Sequence, residues 1–477
     1  MPLLLLLLLA AALRLLPLPH EALSGDEIFS HHIVTESLPV AWHDIREDLV
    51  HPPLYYLLLK ASTTLWGAGA IGLRVFSILF GLLTLPLLVL VGSRLPGERW
   101  CGLLAAACVA VGRYDLFYSQ EARSYAFYTA LVLLLVLWLE AIVKAPQKGG
   151  LWIAGGLLMT ALVYTHYVGG VYVALLVLAV LLSRERPREK LAVFGCGFAA
   201  LLLFLPWLWT EASVFRSKHG LADNLDWQGH PTFYDVRQVW AISLGVGNFP
   251  GATMLALLFA FVLSAIALVL AARHGGLRRS PAILAIVLMG WLPPILMFGL
   301  SEPPINLSLF ALRHVLPSTV LLLLLCCYGV ERLAAAAGSH SRAVAITGAA
   351  CLALLAGVPT LQLLHAGTSR YPYDRVEGSV IAAESHGAPA YAVWFYGEGE
   401  PVNFYCGHAC VQPLPTTHNQ LPSRFVLLYR PGSGRERKFY QQLLGEGFLD
   451  QGHEYFTDGQ QTPYGTMVVT LERNAAR

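Results

Sequence analysis

The sequence predicts an α-helical, polytopic membrane protein that ends in a small extracytoplasmic α/β domain. Three observations predict it. Of 477 residues, 56% are hydrophobic and only 13% are charged, and the mean hydropathy is +0.57. Soluble domains carry about 25% charged residues. The apolar residues gather into runs of about 20, the length that crosses a bilayer as a helix. From about Tyr371 onward these runs give way to short alternating segments bounded by Gly and Pro, the pattern of strands. The net charge of +2 is too small to argue for a nucleic-acid partner.

About eleven spans are expected, at roughly 2–19, 71–92, 100–115, 125–143, 151–166, 168–183, 191–210, 251–272, 281–300, 314–331 and 344–365. Residues 2–19 read as a retained first membrane helix. No Lys or Arg precedes Leu3–Leu9, Arg14 interrupts the apolar run, and the A-x-A pattern of a signal peptide is missing. Residues 53–66 are apolar but short and contain Lys60, which fits a helix lying in the interface. The transmembrane domain is placed at 1–370, with outer loops 20–70 and 211–250, and the α/β domain at 371–477. In the latter, "AYAVWFYGEG", "SRFVLLYRPGSG" and "GTMVVTLER" read as strands and "RERKFYQQLLGEGF" as a short helix ending in glycine.

The loops alternate in charge. One set carries Arg94/Arg99, Lys144/Lys148, Arg184/Arg186/Arg188/Lys190, Arg273/Arg278/Arg279 and Arg332/Arg342. The other includes 20–52, which has seven acids against one base, Arg46. The positive-inside rule puts the basic set in the cytoplasm. With eleven spans the N-terminus is then cytoplasmic and residues 366–477 lie outside. Six of eight cysteines lie in apolar runs, as small buried hydrophobes do. Cys406 and Cys410, in "YCGHAC", fit a local disulfide on the outer side; a zinc site lacks a second ligand pair.

Candidate chemistry collects on the outer face. The first loop holds Asp26, Glu27, His31 and His32, then "WHDIREDLVHPPLYY". Ser24-x-x-Glu27 is also a capping box, which starts a helix and fixes the direction of Asp26. The next outer turn reads "GRYDLFYSQEARSYAFY", with Glu121 and Arg123 where the chain re-enters the bilayer. Charges at such depth usually face a cavity or a partner; a mutual Glu/Arg pair stapling the turn is the structural alternative. Tyr114, Tyr118, Tyr125 and Tyr128 suit an interfacial belt. Arg313, at the outer start of a later span, suits an anionic head group or snorkelling. In 211–250, Arg216, Lys218 and His219 add cations, and Trp227, Phe233, Tyr234 and Trp240 add aromatics around a surface helix. Carboxylates and cations on one membrane face are what transfer from a phosphate-linked lipid requires: a base for the acceptor and positive charge for the departing phosphate.

The pieces "LRL", "GDEIFS", "HPPLYYLLLK", "GLRVFSILFGLLTLPLL", "YSQEARSYAFY" and "RHVLPS" resemble, in order and spacing, the GT-C fold glycosyltransferases. The likeness is to family 39, with its protein mannosyltransferase and lipid A aminoarabinose transferase branches. The resemblance implies a GT-C-like helical domain and an inverting transfer of a monosaccharide from a polyprenyl-phosphate donor. The acceptor, whether lipid, glycan or protein, would lie on the extracytoplasmic side of the cell (inner) membrane. It implies catalytic roles for Asp26, Glu27 and Glu121, and donor phosphate contacts from His51, Arg123 and Arg313. Tyr55, Tyr118 and His31 would support them. No cofactor is implied firmly, no metal ligand is assigned, and a divalent metal (Mg or Mn) stays open. Besides donor and acceptor, the partners would be membrane lipids. A transporter or flippase of a lipid-linked sugar is the rival class; it favours inverted repeats and mid-membrane polar residues, whereas no repeat is visible here and the charges sit on one face. A binding protein that has lost catalysis would keep the scaffold without needing Asp26, Glu121, Arg123 and Arg313. Transfer of a phosphorus-containing group would call for a metal cluster.

Overall fold

In a computed structural model the described residues are 2–18, 23–48, 50–97, 100–217, 231–244, 250–273, 280–303, 310–366, 382–393, 410–413, 420–429, 434–456 and 466–474. They divide into two compact units. The first comprises Met1–Leu16, Trp42–Ser62 and Arg74–His365; the second, Pro17–Ala41, Thr63–Leu73 and Ala366–Arg477.

The first unit is helical. Its elements begin with α1 (Pro2–Leu15). Then come α2 (Gly25–Thr35), which belongs to the second unit, and α3 (Leu38–Asp48) and α4 (Leu54–Trp66), whose residues 38–41 and 63–66 are also assigned to the second unit. Next are α5 (Ala70–Gly92), α6 (Cys101–Val111), α7 (Arg113–Gln120) and α8 (Tyr125–Lys144). They are followed by α9 (Gly149–Thr165), α10 (Gly169–Leu182), α11 (Pro187–Ser217) and α12 (Phe233–Ser243). The last are α13 (Pro250–Arg273), α14 (Pro281–Ser301), α15 (Leu316–Ala336) and α16 (Ser341–Ala366). α15 is the central strut: it packs against α6, α8, α13 and α14, and Leu316–Glu331 is buried without a break. A helix apolar all round is at home inside a large bundle or in lipid. α11 shows the lipid-type face, with Leu191, Phe194, Phe198, Leu201 and Leu202 exposed.

Six helices are long and apolar enough to span a bilayer among the described residues, or seven if the bent pair α6–α7 is one span. That is fewer than the expected eleven. The other four expected spans fall on shorter apolar helices, Pro2–Leu15, Gly149–Thr165, Gly169–Leu182 and Met254–Leu270. The expected span 100–115 is also bent, by 65°, because Gly112 has an extended ψ of 125° and interrupts the ladder. The outer turn expected at 113–124 is therefore mostly helix α7, and only 121–124 turn.

Small residues let the helices approach closely, the usual device of membrane bundles. A Cβ on Gly102 would lie 2.6 Å from the Leu88 carbonyl oxygen, and one on Gly329 would lie 2.4 Å from that of Leu263. Arg14, fully buried in α1, is held by carbonyls: its Nη1 donates to Ala10 and, across to α6, to Ala110, each at 3.2 Å. Tyr172 and Ser318 lock α10, α14 and α15. The Ser318 hydroxyl donates to the Met289 carbonyl (2.7 Å) and its amide to Tyr172 Oη (3.1 Å), which leaves the tyrosine O–H to donate to Ser318 Oγ (2.6 Å).

The second unit contains a five-stranded sheet and α17 (Gly434–Gly445). Its strands are β1 (Ala390–Ala392), β2 (Val411–Pro413), β3 (Arg424–Tyr429), β4 (Phe448–Phe456) and β5 (Thr466–Arg473). The order is β2-β1-β3-β5-β4, parallel at β2-β1-β3 and antiparallel at β3-β5-β4. The three expected strands and the helix are present; β2 and β4 are additional. β4 hides from sequence reading because it pairs with β5 alone, shows mostly polar side chains, and shifts register at Gly452. Cys410 is disulfide-bonded, while Cys406, its expected partner, lies outside the described residues, as do Lys218, His219 and Trp227.

Candidate active site

The turn after α7 buries a guanidinium. Gly112 restarts the helix at a new angle, α7 runs out at Gln120, and Glu121-Ala122-Arg123-Ser124 turns the chain into α8. Glu121 is 5% exposed and Arg123 is 4% exposed. Arg123 lies on the α4 side of this turn: one Nη donates to Tyr56 Oη (2.8 Å) and the other lies 2.9 Å from His51 Nε2 and 3.3 Å from its Nδ1, the nearer nitrogen being the acceptor. The guanidinium also covers the Tyr56 ring at 5.8 Å. Arginine has no acceptor, so His51 Nε2 must accept. The imidazole proton is therefore on Nδ1, which sits 2.9 Å from Asp48 Oδ2 and donates to it. Asp48, His51 and Arg123 thus form a directional relay in which the carboxylate fixes the tautomer of the imidazole, and the imidazole aims the guanidinium.

The backbone of the turn is pinned as firmly. Ser77 Oγ donates to the Arg123 carbonyl (3.1 Å), so the Tyr55 hydroxyl donates to Ser77 Oγ (3.1 Å). His51, Pro52, Tyr55, Tyr56, Arg123, Ser124 and Thr165 line one cleft. Beside them the His166 ring stacks on Tyr128 (5.1 Å between centroids, 22°), with the His314 ring at 4.8 Å and the His51 ring at 6.3 Å. Arg313 and His314 come from a 3-10 turn, Leu312–Val315, ahead of α15. Tyr118 is buried between Tyr114, Phe117 and Tyr125. Its place is thus aromatic packing under the turn.

Asp26, Glu27 and His31 belong to the second unit, on α2. The capping box is formed: the Glu27 amide donates to Ser24 Oγ (3.3 Å), and the Ser24 amide donates to Glu27 Oε2 (2.9 Å). Glu27 is fully buried, with its carboxylate engaged at the helix start, whereas Asp26 is half-buried. The His31 imidazole is held below its ordinary pKa, first by burial and then by neighbouring His32. Of the residues singled out from sequence, His51, Tyr55, Glu121, Arg123 and Arg313 lie in the first unit. Sequence reading missed Asp48, Tyr56, Ser77 and His166 as site members. The readable signal for His166 is a polar "THY" between two apolar runs.

Among the described residues, no three His, Cys, Asp or Glu side chains converge in a way that could hold a metal ion. The described residues thus offer no ligand set for a divalent metal.

This arrangement can be set against known proteins. Residues 50–209 match the model of a family described as dolichyl-phosphate-mannose-protein mannosyltransferase. No curated protein matches the chain. Among solved structures, ArnT from Cupriavidus metallidurans bound to undecaprenyl phosphate aligns over 98% of this chain and 97% of its own, at 15% identity and TM-score 0.55. The fold is GT-C. The same protein in its apo state aligns at 16% identity and TM-score 0.57, over the same shares of both chains. A second GT-C relative in structure is the archaeal oligosaccharyltransferase AglB from Archaeoglobus fulgidus, solved with an inhibitory peptide and a dolichol-phosphate. It aligns over 98% of this chain and 73% of its own, at 13% identity and TM-score 0.53. The family match begins one residue before His51 and contains Glu121, Arg123 and His166.

Proposed function

We propose that this chain is an inverting glycosyltransferase that moves a monosaccharide from a polyprenyl-phosphate donor to an acceptor on the extracytoplasmic side of the membrane. The observation that carries the reading is the buried Arg123 guanidinium, held by the Asp48–His51 pair within a GT-C helical unit. Fixed positive charge in a water-poor site stabilises a departing phosphate without reorganising at the moment of reaction. The two structural relatives solved with undecaprenyl phosphate and with a dolichol-phosphate support this class of donor.

In this reading Asp26 removes the proton from the acceptor hydroxyl. The acceptor oxygen bonds to the anomeric carbon from the face opposite the phosphate. The bond between that carbon and the phosphate oxygen breaks, and the electron pair leaves with the polyprenyl phosphate. Arg123 and Arg313 meet the charge that develops there. His51 acts as a positioning residue, since its Nε2 is already given to Arg123. Glu121, buried in the α7–α8 turn, is the other acid this reading assigns to the chemistry.

The test is to incubate purified protein with a panel of polyprenyl-phosphate sugars and follow which is consumed, for wild type and Asp26→Asn. One donor should be turned over by wild type. Asp26→Asn should lose that turnover by about a hundred- to ten-thousandfold, in line with removal of a catalytic base, while keeping its melting temperature. Near-normal turnover in the variant removes Asp26 from its role; vectorial movement of the donor without cleavage favours the flippase instead.

A further inference from the structure

His166 has no assigned part in the reading above, yet its surroundings point to a ligand. It lies in the short turn between α9 and α10, within the first unit, and is 4% exposed. Its Nδ1 accepts from the Val168 amide at 3.2 Å. The ring proton is therefore on Nε2, and that N–H is buried with no hydrogen-bond partner among the described residues. Two neighbouring hydroxyls share this condition: Ser124 Oγ, in the wall of the His51–Arg123 cleft, and Tyr128 Oη, whose ring stacks on His166. Native proteins leave few such groups unsatisfied, and each calls for an explanation.

The company of the orphan donor says what kind of acceptor is missing. The groups that act on His166 electrostatically are His314, His51, Arg123 and Arg313, all donors or cations. Burial, then the neighbouring imidazoles and guanidiniums, hold its pKa well below the ordinary value, so the ring offers a hydrogen bond without adding a further positive charge. Its direction is set from both sides, by the Val168 amide at Nδ1 and by the Tyr128 stack on its face.

We infer that His166 Nε2–H donates to the anionic phosphate of the lipid-linked donor, so that the α9–α10 turn is a third element of the phosphate site. The other two are the α7–α8 turn, with Arg123, and the 3-10 turn, with Arg313. The inference rests on the proposed function, because it takes the donor's phosphate as the missing acceptor.

The test uses the full chain purified in detergent, with undecaprenyl phosphate as probe and undecaprenol, which lacks the phosphate, as control. His166→Asn can still accept from the Val168 amide but is too short to reach outward. It should weaken undecaprenyl phosphate binding about tenfold, the loss expected of one hydrogen bond to a charged group, and leave undecaprenol binding unchanged. His166→Gln, whose carboxamide can place an N–H near the Nε2 position, should bind the phosphate within about threefold of wild type. If wild type binds the phosphate no better than undecaprenol, the proposed function itself falls and takes this inference with it. Should wild type prefer the phosphate while His166→Asn binds it equally well, only the role of His166 is overturned. Parallel loss of both lipids in His166→Asn also overturns it, by showing that the side chain serves packing.

Discussion

A guanidinium is useful to a leaving phosphate only if something decides where it points. Arg123 has that decision made twice, at its head by His51 and Tyr56 and at its backbone by Ser77. Removing the head in Arg123→Ala deletes the charge and leaves the Asp48–His51 bond intact. Because hydrogen bonds to charged groups contribute about 1.5–3 kcal/mol, KM for the polyprenyl-phosphate donor should rise by roughly ten- to a hundredfold. Steady-state kinetics on the purified variant would measure it, and an unchanged donor KM would count against the phosphate role. The sequence disclosed Arg123 because charge at the edge of an apolar run is costly and therefore conspicuous. It did not disclose Asp48 or Ser77 as its supports. Asp48 looked like one acid of seven in a polar loop, and Ser77 is an ordinary hydroxyl inside an apolar span, brought to Arg123 only by folding, 46 positions away.

At the scale of one element, α2 shows how local chemistry can divide two adjacent acids. The S-x-x-E spacing was legible, and the reciprocal bonds between Ser24 and Glu27 are there. Those bonds occupy a carboxylate that the family resemblance would also make catalytic. Glu27→Gln keeps an acceptor oxygen for the Ser24 amide and removes only the charge. If Glu27 caps, this variant should retain activity within a few-fold of wild type, whereas Ser24→Ala should cost about 1 kcal/mol of stability at the helix start. Amide hydrogen exchange across residues 25–30 measures the second effect, and donor turnover the first. A loss in Glu27→Gln approaching that of Asp26→Asn would return Glu27 to the chemistry. β4 is the opposite case. An edge strand with polar side chains and a register shift carries neither the alternation nor the apolar run by which strands are read, so only its pairing with β5 reveals it.

The whole molecule was legible at the level that composition controls. A chain this apolar and this poor in charge has to satisfy its backbone internally, and helices do so within a single segment. Counting those helices was harder, because Gly112 bends one expected span and four others fall on helices of 10–17 residues, short for a full crossing. Sidedness rests on a separate physical cue, the retention of Lys and Arg in loops that stay in the cytoplasm. The loop between α8 and α9 carries Lys144 and Lys148, whereas 20–52 carries seven acids and one base. Two exposed, uncharged positions test the asymmetry without altering it, Gln147 and Ser37. In intact cells a membrane-impermeant maleimide should label Ser37→Cys above the wild-type background and should reach Gln147→Cys only after the membrane is opened. The reverse pattern would place the acidic loop in the cytoplasm. Asp26 would then face the cytoplasm, and an extracytoplasmic acceptor would no longer be tenable.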